Sequence, residues 1–155
     1  MSNRLARLIG TWFGCGYSPV APGTAGSLAA VAAAFLLHRQ LGWGQVEFAA
    51  LGLAACAPGV WAASGVARSV GKDDPGIVVV DEVIGQWITL AGVTVFNWQA
   101  WLGAFLLFRL FDIWKPPPVR QLEKLHGGAG IVADDVMAGV YGAIVIHLAG
   151  RWGLY

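Results

Sequence analysis

Charge is what this chain has least of. Asp, Glu, Lys and Arg together make up 12% of its 155 residues, about half the ~25% of an average soluble domain. The net charge is +1 and the few basic residues are scattered, which leaves no basic face for nucleic acid. Cysteine is equally sparse. Cys15 and Cys56 show neither metal nor disulfide spacing and read as packing residues. A secretory leader is also missing from the expectations, because residues 1–16 have no continuous apolar core and no small-residue cleavage pattern.

What is present is apolar. Hydrophobic residues make up 57% of the chain and the mean hydropathy is +0.63. The expected fold is therefore all-α, a multi-pass membrane helical bundle. Stretches near the ~17–25 residues needed to span a bilayer occur at Ala25–Leu41, Val46–Ala67, Ile77–Phe96, Trp98–Trp114 and Val136–Leu148 with its flanks. About five spanning helices are predicted. Ahead of them, Leu5, Leu8, Ile9 and Trp12 recur at helical spacing beside Arg4 and Arg7, as in a short helix lying on an anionic membrane surface.

Five spans can be oriented by their loops, because Lys and Arg in short loops mark the cytoplasmic side. Arg4, Arg7, Arg68, Lys72, Lys115, Arg120 and Lys124 fall on one side, and only Arg39 and Arg151 on the other. This predicts a cytoplasmic N-terminus. Acidic residues took no part in that assignment, yet all of them except Glu47 fall at the cytoplasmic end. Asp81 and Glu82 start the third span, Asp112 ends the fourth, and Asp134 and Asp135 open the fifth.

A carboxylate at the centre of a membrane helix costs roughly 2.5–3.5 kcal/mol on insertion scales. Five unpaired ones are tolerable only at shallow depth and with a shared partner. Arg109 and Lys115 are too few to neutralise them, so the cluster calls for a divalent cation. Ligands that are all oxygen, without His or Cys, favour magnesium, manganese or calcium over zinc. Small and polar residues follow the acids on one helix face: Gly85, Gln86, Thr89 and Gly92 after Glu82, and Gly139 and Gly142 after Asp135. Such stripes pack inside a bundle. The segments "GIVVVDEVIG" and "GIVADDVMAG" also resemble each other, although ten residues are too few to establish a repeat.

Two loops of the same side add polar groups. In "FRLFDIWKPPPV" the three-residue spacing puts Arg109 and Asp112 on one face, while Pro116–Pro118 stop the helix and force Lys115 out of helical geometry. An amphipathic turn at residues 119–125 follows. The segment "GCGYSPVAPGTAGS" reads as a turn leading to a helix N-terminus, where Ser18 and Thr24 are candidates for holding phosphate. Ordinary capping is the competing reading of both. Asp74, ahead of Pro75, reads as a cap for the third helix, and His126 as a surface residue.

Four blocks together, "GYSPVAPGTAGSL", "DDPGIVVVDEVIGQ", "FRLFDIWKPPPV" and "GGAGIVADDVMAG", resemble the phosphatidylglycerophosphatase A family in order and spacing. They extend over most of the chain, and the expected organisation is a single domain over residues 1–155. The resemblance implies a Mg2+-dependent enzyme that removes the terminal phosphate of phosphatidylglycerophosphate at the cytoplasmic face of the bacterial inner membrane. On that basis Asp81, Glu82, Asp112, Asp134 and Asp135 are the expected metal ligands and source of a base. Lys115, with Arg109 or Arg120, is expected to clamp phosphate. Attack by water and attack by an aspartate remain open. Of the acids, Glu82 and Asp135 rank first because their faces carry the small residues. The signatures of other phosphatase classes, a DxDx nucleophile or paired histidines, are missing. The alternative is an ion- or proton-coupled transporter using the same carboxylates, and a homo-oligomer is compatible with the sequence.

Overall fold

The computed structural model describes residues 2–155, with side chains from residue 4 onward. Every regular element among the described residues is helical: α1 (Ser2–Gly10), α2 (Pro22–Leu41), α3 (Gln45–Val70), α4 (Val80–Leu90), α5 (Trp98–Trp114), α6 (Val119–Leu122) and α7 (Gly128–Arg151), with a 3₁₀ turn at Cys15–Tyr17. The all-α fold expected from composition is the one observed.

Local chemistry explains most boundaries. Pro22 opens α2 at a position where its missing N–H costs nothing, and Gly42, at φ 69°, closes it. Gly71 ends α3 in the same left-handed conformation, at φ 73°. Asn97 caps α5 by accepting the Ala100 N–H at 2.9 Å. At the other end of α5, Lys115 turns to φ 50°, ψ 60°, because the residue ahead of a proline is disfavoured in the helical region.

The chain passes between two ends of the bundle five times. One end gathers the start of α2, the start of α4, the end of α5 and the first turns of α7 around one cavity. The other end brings His38 of α2 onto Phe96 and Trp101, and Phe48 of α3 onto Phe96. The passes differ in kind. Among the described residues, only α3 and α7 are both long and apolar enough to cross a membrane.

The expected third span, Ile77–Phe96, is corrected by this geometry. Its helix has 11 residues, a length of about 16 Å, against a hydrocarbon core of about 30 Å. All of α4 is buried except Glu82, which is partly so. A helix that is apolar all round because other helices surround it leaves the same sequence signal as one surrounded by lipid. The last span is longer than expected, since Val136–Leu148 lies within the 24-residue α7.

Helix α4 is the hub. Thr89 donates its hydroxyl to the carbonyls of Gly85 and Gly139 at 3.1 and 3.2 Å, and Trp87 Nε1 donates to the Ala30 carbonyl of α2 at 3.2 Å. The stripe that follows Glu82 does face α7. A Cβ on Gly85 would sit 2.6 Å from the Asp135 carbonyl, and one on Gly142 would sit 2.8 Å from Thr89. Gly85 and Gly139 meet backbone to backbone. They hold the same place in the two similar segments, so α4 and α7 run parallel with their acidic pairs at one level.

Helix α1 matches the predicted N-terminal helix. Leu5 and Leu8 face outward, while the buried Ala6 and Gly10 lie against Gly65 and Val66 of α3. Trp12 lies past the helix end, at φ 46°, and packs edge-on against Trp87 at 5.3 Å.

Candidate metal and phosphate site

The common end of α2, α4, α5 and α7 encloses a cavity of about 470 Å³, within the ~300–1,000 Å³ range of small-ligand clefts. Eight carboxylates line it, Asp73, Asp74, Asp81, Glu82, Asp112, Glu123, Asp134 and Asp135, against three cations, Arg109, Lys115 and Lys124. The negative excess anticipated from the sequence is larger than five acids alone provide.

Asp81, Glu82 and Asp135 form the centre. Each offers a carboxylate oxygen, and these three atoms lie within 4.8 Å of one another. Asp81 and Glu82 reach this point from the first turn of α4, where the positive end of the helix dipole favours anions. Asp135 arrives from α7 because the Gly85–Gly139 contact brings the two backbones together. Asp81 Oδ1, Glu82 Oε2, Asp134 Oδ1 and Asp135 Oδ2 are buried without a hydrogen-bond partner. Buried anionic oxygens without partners are costly, and a divalent cation removes that cost. The donor set is all oxygen, which fits magnesium, manganese or calcium.

The other two candidate carboxylates are engaged by cations. Asp134 Oδ2 accepts from Lys115 Nζ at 2.8 Å, and Asp112 is ion-paired with Arg109. Lys115 Nζ also donates to Glu123 Oε1 at 2.9 Å. Burial alone would lower the Lys115 pKa, but its hydrogen bonds to Asp134 and Glu123 outweigh burial and raise it above the ordinary lysine value. The left-handed turn ahead of the prolines is what points this side chain back toward α7. Tyr141 helps to hold that loop by donating to the Pro117 carbonyl at 2.6 Å.

Three of the predicted phosphate ligands are not in the cavity wall. Ser18 donates its hydroxyl to the Val20 carbonyl at 2.9 Å. Thr24 is half-buried on α2 and Arg120 is exposed on α6; neither lines the cavity. Arg120 instead borders a small crevice with Pro116 and Pro117. The start of α2 does reach the site, but through Ala21, Pro22 and Gly23. A Cβ on Gly23 would collide with Glu82 Oε1 and come within 3.2 Å of Arg109 Nη1. The absence of a side chain there lets a helix N-terminus, with its free N–H groups, close one wall.

Asp74 does not cap α4, which begins six residues later at Val80 with Val79 ahead of it. Asp74 lines the cavity, as does the exposed His126. Glu123 and Gly23 went unnoticed as site residues in the sequence. Glu123 sits in a short amphipathic turn whose charges look solvated, and Gly23 is one of 22 glycines.

Residues 8–150 match the family model described as phosphatidylglycerophosphatase A. The chain belongs to the phosphatidylglycerophosphatase A family. Its relatives include the phosphatidylglycerophosphatase A of Escherichia coli, 40% identical with 95% of this chain and 85% of that protein covered. The Haemophilus influenzae phosphatidylglycerophosphatase A is also 40% identical, over 95% of this chain and 90% of that one. A Bacteroides thetaiotaomicron protein described as a putative phosphatidylinositol-3-phosphatase is 47% identical, over 94% and 92% respectively. No solved structure matches the chain. The four motif blocks of this family each contribute to the cavity: Ala21–Gly23 from the first, Asp73–Glu82 from the second, Arg109–Lys115 from the third and Gly127–Asp135 from the fourth.

Proposed function

We propose that this family member is a Mg2+-dependent phosphatidylglycerophosphatase, releasing the terminal phosphate of phosphatidylglycerophosphate to leave phosphatidylglycerol, at the cytoplasmic face of the bacterial inner membrane. The observation that carries this reading is the convergence of Asp81, Glu82 and Asp135 within 4.8 Å, beside Lys115 and Arg109, in a chain of this family. Asp81, Glu82 and Asp135 would hold the metal. When bound, magnesium supplies charge neutralisation on the phosphoryl oxygens and Lewis-acid polarisation.

The chain's own groups account for the rest. Arg109 and Lys115 bind the phosphate oxygens, each kept in position by a carboxylate, Asp112 or Asp134. The start of α2 lines the same cavity through Ala21, Pro22 and Gly23, and a helix N-terminus there favours an anion. In this reading the proton of the attacking water passes to Asp134, the carboxylate outside the metal-holding set whose Oδ1 is buried without a partner while its Oδ2 accepts from Lys115. The new P–O bond forms as the bond to the glycerol oxygen breaks, and that oxygen leaves with a proton drawn from the open mouth of the cavity. Attack by an aspartate is the competing route, and a trapped acyl-phosphate would favour it.

A second substrate has a specific observation behind it. The relative at 47% identity is described by its action on a phosphatidylinositol phosphate, so a 3-phosphorylated inositol lipid belongs in the same panel. The transporter alternative has less support, since its coupling sites lie near the midplane and these acids crowd one end of the bundle.

The test is phosphate release from the detergent-solubilised chain, with both lipids, in magnesium and in chelator. Glu82→Gln, Asp135→Asn and Asp81→Asn are each expected to lose more than the ~10–100-fold typical of residues that only orient ligands. Magnesium should also raise the thermal midpoint of the parent by mass action, and not that of Glu82→Gln. Full activity in all three variants, or in chelator, rules out the metal assignment.

A further inference from the structure

On the side that α2 and α5 share, a second cavity of about 700 Å³ opens. Its α2 wall is Leu28, Val31, Ala32 and Phe35, and its α5 wall includes Trp101, Leu102 and Phe105. Each set recurs at three- and four-residue spacing and so occupies one helix face. The same helices continue into the phosphate cavity. On α5 the stripe runs from Leu102 and Phe105 to Arg109 and Asp112, and the last two line the acidic cavity. On α2 Leu28 lies less than two turns from Pro22 and Gly23 at the helix start, which line that cavity. The two cavities share no lining residue, but α2 and α5 contribute walls to both.

We propose that the α2–α5 groove holds an acyl chain of the lipid whose phosphomonoester occupies the acidic cavity. This rests on the lipid-phosphatase reading and adds where the hydrocarbon goes. Three observations select an acyl chain over a peptide or a second helix. The wall next to the acidic cavity is hydrocarbon and offers no hydrogen-bonding groups. The polar lining residues, His38, Arg39 and Asn97, gather at the far end. There His38 Nδ1 is already bonded to the Trp43 carbonyl at 2.7 Å and Asn97 caps α5. From Leu28 to Arg39 the helix rises about 16 Å, a reach suited to an extended chain. The groove is open on its flank, where Leu28, Phe35 and Leu102 are 52%, 42% and 49% exposed, so a chain can enter sideways from the bilayer.

Filling the groove is the test. Ala32 is exposed on the groove wall, so Ala32→Trp occupies the volume without disturbing a packed core. Leu53→Trp, on an exposed face of α3 outside the groove, is the control. Initial rates are measured on a long-chain phosphatidylglycerophosphate and on a soluble glycerophosphate analogue without long chains. Ala32→Trp should lower kcat/KM for the long-chain lipid by about 10-fold or more, chiefly through KM, and leave the soluble analogue within about two-fold. Leu53→Trp should change neither. A photoreactive acyl chain on the same lipid should cross-link to α2 or α5 in the parent. Equal losses on both substrates, or no loss on either, overturn the proposal, as does removal of a co-purifying phospholipid with unchanged kinetics, which would mark the groove as a resident-lipid site. A parent that cleaves neither substrate removes the phosphatase reading itself, a result distinct from a failed contrast between variants.

Discussion

Glu82 lies where three helices meet. It starts α4, faces the bare backbone of Gly23 on α2 and shares its cavity with Arg109 of α5. Gly23→Ala is therefore a sharp probe. The new methyl group would displace the end of a flexible carboxylate rather than backbone, so the thermal midpoint should stay near that of the parent while phosphate release falls by about 10-fold or more, as expected for a misplaced charged group. Unchanged activity would mean that Glu82 has no fixed position in the reaction. Lys115 allows a chemical test. Its pKa is shifted upward by its bonds to Asp134 and Glu123, against the opposing effect of burial. An upward shift keeps the ammonium form present beyond the ordinary lysine value of about 10.4. In amine labelling at pH 9 followed by mass spectrometry, Lys115 should remain unmodified while the exposed Lys72 and Lys124 react. Labelling of Lys115 at the rate of those two would contradict the paired geometry.

At the scale of elements, the α4–α7 contact sets the site. The two helices approach through Gly85, Gly139 and Gly142, and that closeness is what brings Asp135 level with Asp81 and Glu82. A larger side chain at Gly139 has only the Gly85 backbone to push against. Gly139→Leu should destabilise the bundle by about 1–3 kcal/mol, the usual range for overpacking, and abolish activity although no carboxylate is altered. Equilibrium unfolding in detergent checks the first effect and phosphate release the second. A variant with parental stability and activity would show that the helices can separate without disturbing the acids. The acidic pairs were legible in the sequence because ionisable residues stand out in an apolar run. Their division of labour was not. Adjacent residues on a helix point in different directions, so only the packing shows that Asp135 joins Asp81 and Glu82 while Asp134 turns to Lys115. Ser18 and Thr24 illustrate the reverse case, since their hydroxyls suit phosphate but the α2 turn keeps them out of the cavity wall.

At the scale of the molecule, the carboxylates of the cavity lie at one end of the bundle, and the proposed cytoplasmic orientation of that end rests on the excess of Lys and Arg in its loops. His126, exposed at the cavity rim, can report this orientation. With Cys15 and Cys56 replaced, His126→Cys should react with a membrane-impermeant thiol reagent in inside-out vesicles and be protected in right-side-out ones. The opposite pattern would place the site on the other surface.

Some of this was settled by sequence alone: a helical, membrane-compatible chain, the periodic small-residue faces, and a set of carboxylates confined to one end. Composition and spacing are local properties, and they survive being read without coordinates. Tertiary structure decided which three carboxylates converge, that Gly23 and Glu123 line the acidic cavity, and that the third apolar run is a short helix enclosed by protein. Those outcomes depend on contacts such as Gly85 with Gly139 and Lys115 with Asp134, between residues far apart in the chain, and burial by protein gives the same apolar signal as burial by lipid.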